Sequence, residues 1–97
     1  MLEEFLTWAR EREMRSAHHG PAIVLTVAAR TSNPSARLDV DGNNSIGRIT
    51  VWDDGNIDIE VLDVVSGDGL YAAQISASAP YKFDELFSPF FVQIAEN

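Results

Sequence analysis

The feature that most constrains the fold is a short loop, Asp53-Asp54-Gly55, between two segments in which apolar and polar side chains alternate. Ile46–Trp52 precedes the loop and Asn56–Val64 follows it. Such alternation is typical of strands with one buried face, and an Asp-Gly pair between two such runs is a strong β-hairpin signal. The sequence therefore predicts an antiparallel sheet that includes this hairpin.

Two registers fit the loop, and the side-chain pattern separates them. A two-residue turn would mix apolar and charged groups on both faces of the hairpin. A three-residue loop with Gly55 in the left-handed conformation pairs Val51 with Ile57 and collects the apolar side chains on one face. The other face then holds Trp52 with Asn56, Thr50 with Asp58, and Arg48 with Glu60. We predict this second register, which leaves Trp52 on the outer face of the sheet.

Three more strands are predicted from β-branched or alternating residues bounded by turn-forming ones: Ala22–Arg30, Arg37–Asp41 and Leu70–Ser78. Residues 2–16 have the apolar spacing of a helix, which His18-His19-Gly20-Pro21 ends, with the glycine as C-cap.

A second apolar stripe at helical spacing occupies the C-terminal segment: Phe83, Leu86, Phe87, Phe90, Phe91 and Ile94. Pro89 lies off this stripe and either kinks the helix or restarts it with Ser88 as N-cap. The predicted fold class is α+β: an N-terminal helix, a meander of four or five antiparallel strands and a C-terminal helix. Both helices should cover the same sheet face.

Composition narrows the class of protein. A chain of 97 residues fills one hydrophobic core, so we expect a single domain over residues 1–97. The absence of cysteine excludes disulfide scaffolds, thiolate metal sites and thiol nucleophiles. No apolar run approaches the ~18 residues of a membrane span, and the first residues do not resemble a signal peptide. We therefore expect a cytoplasmic protein without membrane association.

Charge is unevenly distributed along the chain. Fifteen acidic and seven basic residues give a net charge of −8, and residues 38–97 carry eleven of the acids and only two of the bases. Such a field repels nucleic acid and anionic lipid and attracts a basic protein partner. Solubility alone explains an acidic surface equally well.

None of the polar clusters has the pattern of an active site or a metal site. Adjacent His18 and His19 point in different directions, and a calcium-like spacing at Asp41, Asn43 and Ser45 lacks the later ligands of an EF-hand. Asp53 and Asp54 lie at a hairpin tip, where carboxylates are exposed and simply ionised. We expect no enzymatic activity, no cofactor and no bound metal.

Two tryptophans remain to be explained. Trp52 lies on a polar strand face among acidic residues, an arrangement typical of interface hot spots that bind basic partners, unless a loop or helix end covers it. The predicted partner-binding residues are Trp52, Asp53, Asp54, Asp58 and Glu60. Trp8 lies off the apolar stripe of the first helix, and we place it at the edge of the core rather than in a second contact surface.

The hairpin region also resembles a known family. Gly47-Arg48-Ile49-Thr50-Val51-Trp52-Asp53-Asp54-Gly55 and the following strand, together with the Phe5-Leu6-Thr7-Trp8 start and the Asp84-Glu85-Leu86-Phe87 end, are similar to the TriTu family of bacterial immunity proteins. That family is associated with polymorphic and contact-dependent growth inhibition toxin systems. The resemblance implies a non-enzymatic antitoxin that binds a cognate secreted toxin domain and occludes its active site or substrate path.

Since nuclease toxins are often basic, the acidic surface suggests a basic nuclease as the toxin. The alternative function is a small acidic secretion or folding chaperone for an effector protein. Chaperones of that kind commonly dimerise through a helix, whereas an inhibitor can act as a 1:1 monomer. The sequence leaves open whether the free chain is a monomer or a weak dimer.

Overall fold

The structure, a computed structural model, describes residues 1–18, 20–28 and 32–96, except for the side chain of Glu96. The elements in chain order are α1 (Leu2–Ser16), β1 (Ala22–Ala28), β2 (Ser35–Asp41), β3 (Ser45–Trp52), β4 (Asn56–Asp63), β5 (Gly69–Ser76), α2 (Phe83–Leu86) and α3 (Ser88–Glu96). The five strands form one sheet in the order β1-β2-β3-β4-β5, with every pair antiparallel. The α+β meander predicted from the sequence is confirmed. His19 and the predicted end of the first strand, residues 29–30, lie outside the described residues.

The hairpin between β3 and β4 has the predicted register. Val51 pairs with Ile57, Thr50 with Asp58 and Arg48 with Glu60. The loop closes through Gly55, whose N–H donates to the Trp52 carbonyl at 3.0 Å. Its φ of 98° lies in the left-handed region that glycine adopts without steric cost.

We expect Gly55→Val to lower the free energy of unfolding by about 2–3 kcal/mol, because it forces a β-branched residue to positive φ against a neighbouring backbone. A Cβ at this position would lie 2.6 Å from the Ala77 carbonyl oxygen. Gly67→Val is the matched control, since Gly67 also has positive φ but a Cβ there meets nothing within 4 Å. Urea unfolding should show a clearly smaller loss for the control; equal losses would mean that the approach to Ala77 has no energetic consequence.

The core lies between one sheet face and the helices. This inner face contributes the apolar side chains of the hairpin, and α1 and the C-terminal helices cover it with Phe5, Phe87 and Phe90, all fully buried. The prediction that both helices lie on one face is therefore confirmed. Gly47 provides a gap for Phe90, because a Cβ on Gly47 would lie only 2.5 Å from the ring.

The helix ends differ in part from the sequence prediction. Helix α1 ends at Ser16 and its C-cap Ala17 has right-handed helical angles, so Gly20 is not the C-cap. Gly20 instead has a φ of 96° in the turn toward β1. Of the alternatives at Pro89, the structure has the restart, since α2 ends at Leu86 and α3 begins at Ser88. Ser88 is the first helical residue and not the predicted N-cap, because the Phe91 N–H donates to the Phe87 carbonyl at 3.2 Å.

Candidate functional site

The face of the sheet opposite the helices forms an open groove. Its volume is about 910 Å³, and side chains from β2, β3, β4 and β5 line it. The lining is acidic along most of its length, with four carboxylates and one guanidinium: Asp39, Asp41, Asp58, Glu60 and Arg48. Since no described helix or strand packs over this face, these groups are available to a partner.

Arg48 forms its salt bridge with β2 and not with β4. Although Arg48 is opposite Glu60 on β4, its Nε donates to Asp39 Oδ1 on β2 at 2.7 Å. Arg37 also donates to Asp39, at 3.3 Å. The predicted register pair of Arg48 with Glu60 is thus confirmed, but the arginine forms its ion pair with Asp39, its register partner on β2.

Three of the four carboxylates of the groove consequently form no salt bridge among the described residues: Asp41, Asp58 and Glu60. Asp58 and Glu60 are exposed on β4, two residues apart and on the same face. Among the residues that the structure describes, neither forms a salt bridge. This part of the groove therefore presents adjacent negative charges to solvent.

Trp52 lies beside these acids at the hairpin end of the sheet. Its side chain is half-buried and lines a second hollow of about 460 Å³ that adjoins the groove through Asp58 and Gln74. Asn33, Asn56 and Ser76 also line this hollow. The structure thus brings Trp52 of β3 and Asp58 of β4 together, and Glu60 lies two residues further along β4.

Asp53 and Asp54 have hydrogen-bond partners within the chain. Asp53 Oδ1 accepts a bond from the backbone N–H of Leu2 at 3.3 Å, at the start of α1. Asp54 accepts bonds from the Asn56 N–H at 3.0 Å and from Asn33 Nδ2 at 3.1 Å. Asp53 thus bonds to the start of α1, and Asp54 bonds within the hairpin tip and to Asn33. Neither carboxylate is part of the groove lining.

Trp8 belongs to the core edge, as expected. Its Nε1 donates to Asp84 Oδ1 at 2.9 Å, and its ring lies 5.1 Å from that of Phe87. Arg12 lies over the ring and donates to the same carboxylate at 3.2 Å. The Trp8 indole and then the Arg12 guanidinium hold the pKa of Asp84 below its usual value. This contact joins α1 to α2.

One end of the groove is apolar, and its residues were not among the predicted binding residues. Ile46 pairs with Leu62 on the outer face, and Ile46 is 42% exposed. Ala72 of β5 adjoins them. The register already places Ile46 and Leu62 on the outer face, so the correct hairpin alignment was the signal that could have found them.

The described residues contain no group of three or more histidine, cysteine, aspartate or glutamate side chains arranged to hold a metal ion. The spacing at Asp41, Asn43 and Ser45 forms a tight turn, in which the Gly42 N–H donates to the Ser45 carbonyl at 2.8 Å. No helix in the described ranges is long and apolar enough to span a membrane.

Comparison with known protein families gives a match over most of the chain. A family model described as "Immunity protein TriTu" matches residues 3–93, from the first turn of α1 into the last turn of α3. A search of curated proteins found no match. The matched region includes all five strands and so the whole groove.

Proposed function

This chain belongs to the TriTu family of immunity proteins, and we propose that it neutralises a basic nuclease domain of a secreted toxin through the outer face of its sheet. The observation that supports this proposal is the open groove in which Asp58 and Glu60 lack salt-bridge partners among the described residues, with Trp52 at its side. An acidic surface beside a half-buried tryptophan is well suited to a basic protein surface.

The proposed mechanism is stoichiometric and non-enzymatic. Carboxylates on the groove would pair with the lysine and arginine side chains that a nuclease uses to bind phosphates. A toxin domain held in this way cannot bring its active site or its substrate path to nucleic acid. The long-range field of an acidic chain with a net charge of −8 would speed the encounter. This inhibition would take place in the cytoplasm of the producing cell, as part of a contact-dependent growth inhibition system.

We expect Glu60→Lys to slow association with the toxin domain by about tenfold at low salt and to flatten the salt dependence of the association rate. Arg48 is engaged by Asp39, so Glu60 contributes its full negative charge to the groove. The experiment uses an inactivated form of the cognate toxin domain and measures association rates between low and physiological ionic strength.

Glu11→Lys is the matched control, because it changes net charge equally at an exposed position on α1, away from the groove. The control should slow association only slightly. Equal slowing by both variants would show that net charge matters and the groove does not. A wild-type chain that neither binds the toxin domain nor protects cells that express it would contradict the proposed function itself.

A further inference from the structure

The two edges of the sheet differ in how they are protected. Edge strands expose backbone N–H and C=O groups that can pair with a strand from another chain. β1 and β5 are the edges, since each has one neighbour. On β1, the N–H of Leu25 donates to Glu13 Oε2 of α1 at 2.9 Å. A helix carboxylate thus occupies the middle of this edge and hinders further pairing.

β5 is less well protected than β1. Its eight residues include no charged side chain and no proline, and the register irregularity with β4 lies near its start. At the other end, the Ala77 N–H donates to the Gly55 carbonyl at 2.8 Å. Because N–H direction alternates in an antiparallel pair, the N–H groups of Ala72, Gln74 and Ser76 point away from β4.

These outward N–H groups are accessible. Ala72, Gln74 and Ser76 are all exposed. Within the described part of the chain, no backbone hydrogen bond outside the strand ladders involves them. β5 therefore offers a regular row of donors and acceptors directly beside the groove, to which Ala72 and Gln74 contribute.

We propose that the toxin domain adds a strand to β5 and that this strand carries lysine or arginine on the groove side. The inference rests on the proposed function and names the element by which the partner is held. Backbone pairing supplies the contact, and the basic side chains supply the specificity.

Side-chain size along β5 supports a basic strand. Ala72 lies between the edge and Glu60, its register partner on β4. Strands are spaced by about 4.8 Å, so an added strand would lie about 10 Å from β4. An extended lysine or arginine spans about 6 Å and a glutamate about 4 Å from backbone to charge, given normal bond lengths. The two charges can therefore meet above the methyl group of Ala72.

Charge also distinguishes a toxin strand from a second copy of this chain. Two copies joined through β5 would place two acidic outer faces side by side, and each chain has a net charge of −8. Like charges at this distance repel, whereas a basic strand is attracted. The occupant that fits the edge is therefore a basic strand of the toxin domain.

Amide hydrogen exchange with the inactivated toxin domain tests the proposal on the wild-type chain. The N–H groups of Ala72, Gln74 and Ser76 should exchange at least tenfold more slowly in the complex. Gln74→Pro should weaken binding at least tenfold, because it removes an outward N–H and leaves the ladder with β4 in place. Gln74→Ala removes the same side chain but retains that N–H, so it should lose far less affinity than Gln74→Pro. Val27→Pro, a change at the protected edge, should also bind like wild type.

The outcomes separate this inference from the proposed function. If wild type binds but the three amides gain no protection and Gln74→Pro binds equally well, the edge proposal is wrong and the proposed function stands. A dimer of the free chain that Gln74→Pro dissociates would identify a second copy as the occupant and overturn the proposal. No binding by wild type would overturn the proposed function and this inference with it.

Discussion

Phe90→Ala should lower the free energy of unfolding by about 3–5 kcal/mol, the range for a fully buried phenylalanine whose site cannot collapse. Phe90 is completely buried, and its ring fills the space above Gly47 on β3. Glycine has no side chain to move into the vacated volume, so the void would remain. Urea unfolding monitored by tryptophan fluorescence measures the loss.

A double variant tests whether Gly47 and Phe90 are complementary. Gly47→Val alone should destabilise by about 1–3 kcal/mol, because its Cβ would overlap the Phe90 ring. Gly47→Val combined with Phe90→Ala should lose less than the sum, since the valine fills the void and the overlap is gone. Strict additivity would contradict the complementarity. If Phe90→Ala does not fold, Phe90→Leu gives the same comparison with a smaller loss.

The strands and their register could be predicted from the sequence because local rules determine them. The three-residue loop at Gly55 and the alternation on both sides leave one alignment that buries the apolar side chains. The helices follow from apolar spacing, and the shared core from the need to cover one sheet face. The restart at Ser88 was one of two alternatives that a proline allows, and only packing selects between them.

Contacts between distant segments could not be predicted in the same way. The cavity above Gly47 depends on where α3 crosses β3. Asp53 was a candidate for partner binding, and only the fold shows that its carboxylate accepts a hydrogen bond from Leu2. Arg48 lies opposite Asp39 on β2 and Glu60 on β4. The hairpin pattern indicated only Glu60 as its neighbour, whereas the salt bridge in the structure is with Asp39. Composition predicted an acidic surface, and the topology determined which acids are uncompensated.

Trp52→Ala combined with Asp58→Lys should reduce affinity for the toxin domain at least 100-fold and abolish protection of cells that express it. Truncation of a hot-spot tryptophan costs roughly 2 kcal/mol or more, about thirtyfold in affinity, and reversal of an adjacent interfacial charge adds to this loss. Trp52 and Asp58 line the same hollow, so both changes act on one part of the surface. Calorimetry and growth of cells that carry both genes measure the two effects.

Val92→Ala with Glu11→Lys provides the comparison that distinguishes the sheet from the helices. Both residues are exposed on the helix side, and the pair makes the same change in charge and also truncates an exposed apolar side chain. If binding uses the outer face of the sheet, the control retains affinity and the Trp52 variant loses it. The reverse pattern would place the toxin on the helices.

Trp52 is half-buried, so thermal unfolding must first show that both variants are folded at the assay temperature. Full affinity and protection in a folded Trp52→Ala, Asp58→Lys chain would mean that the acids of the groove serve solubility alone.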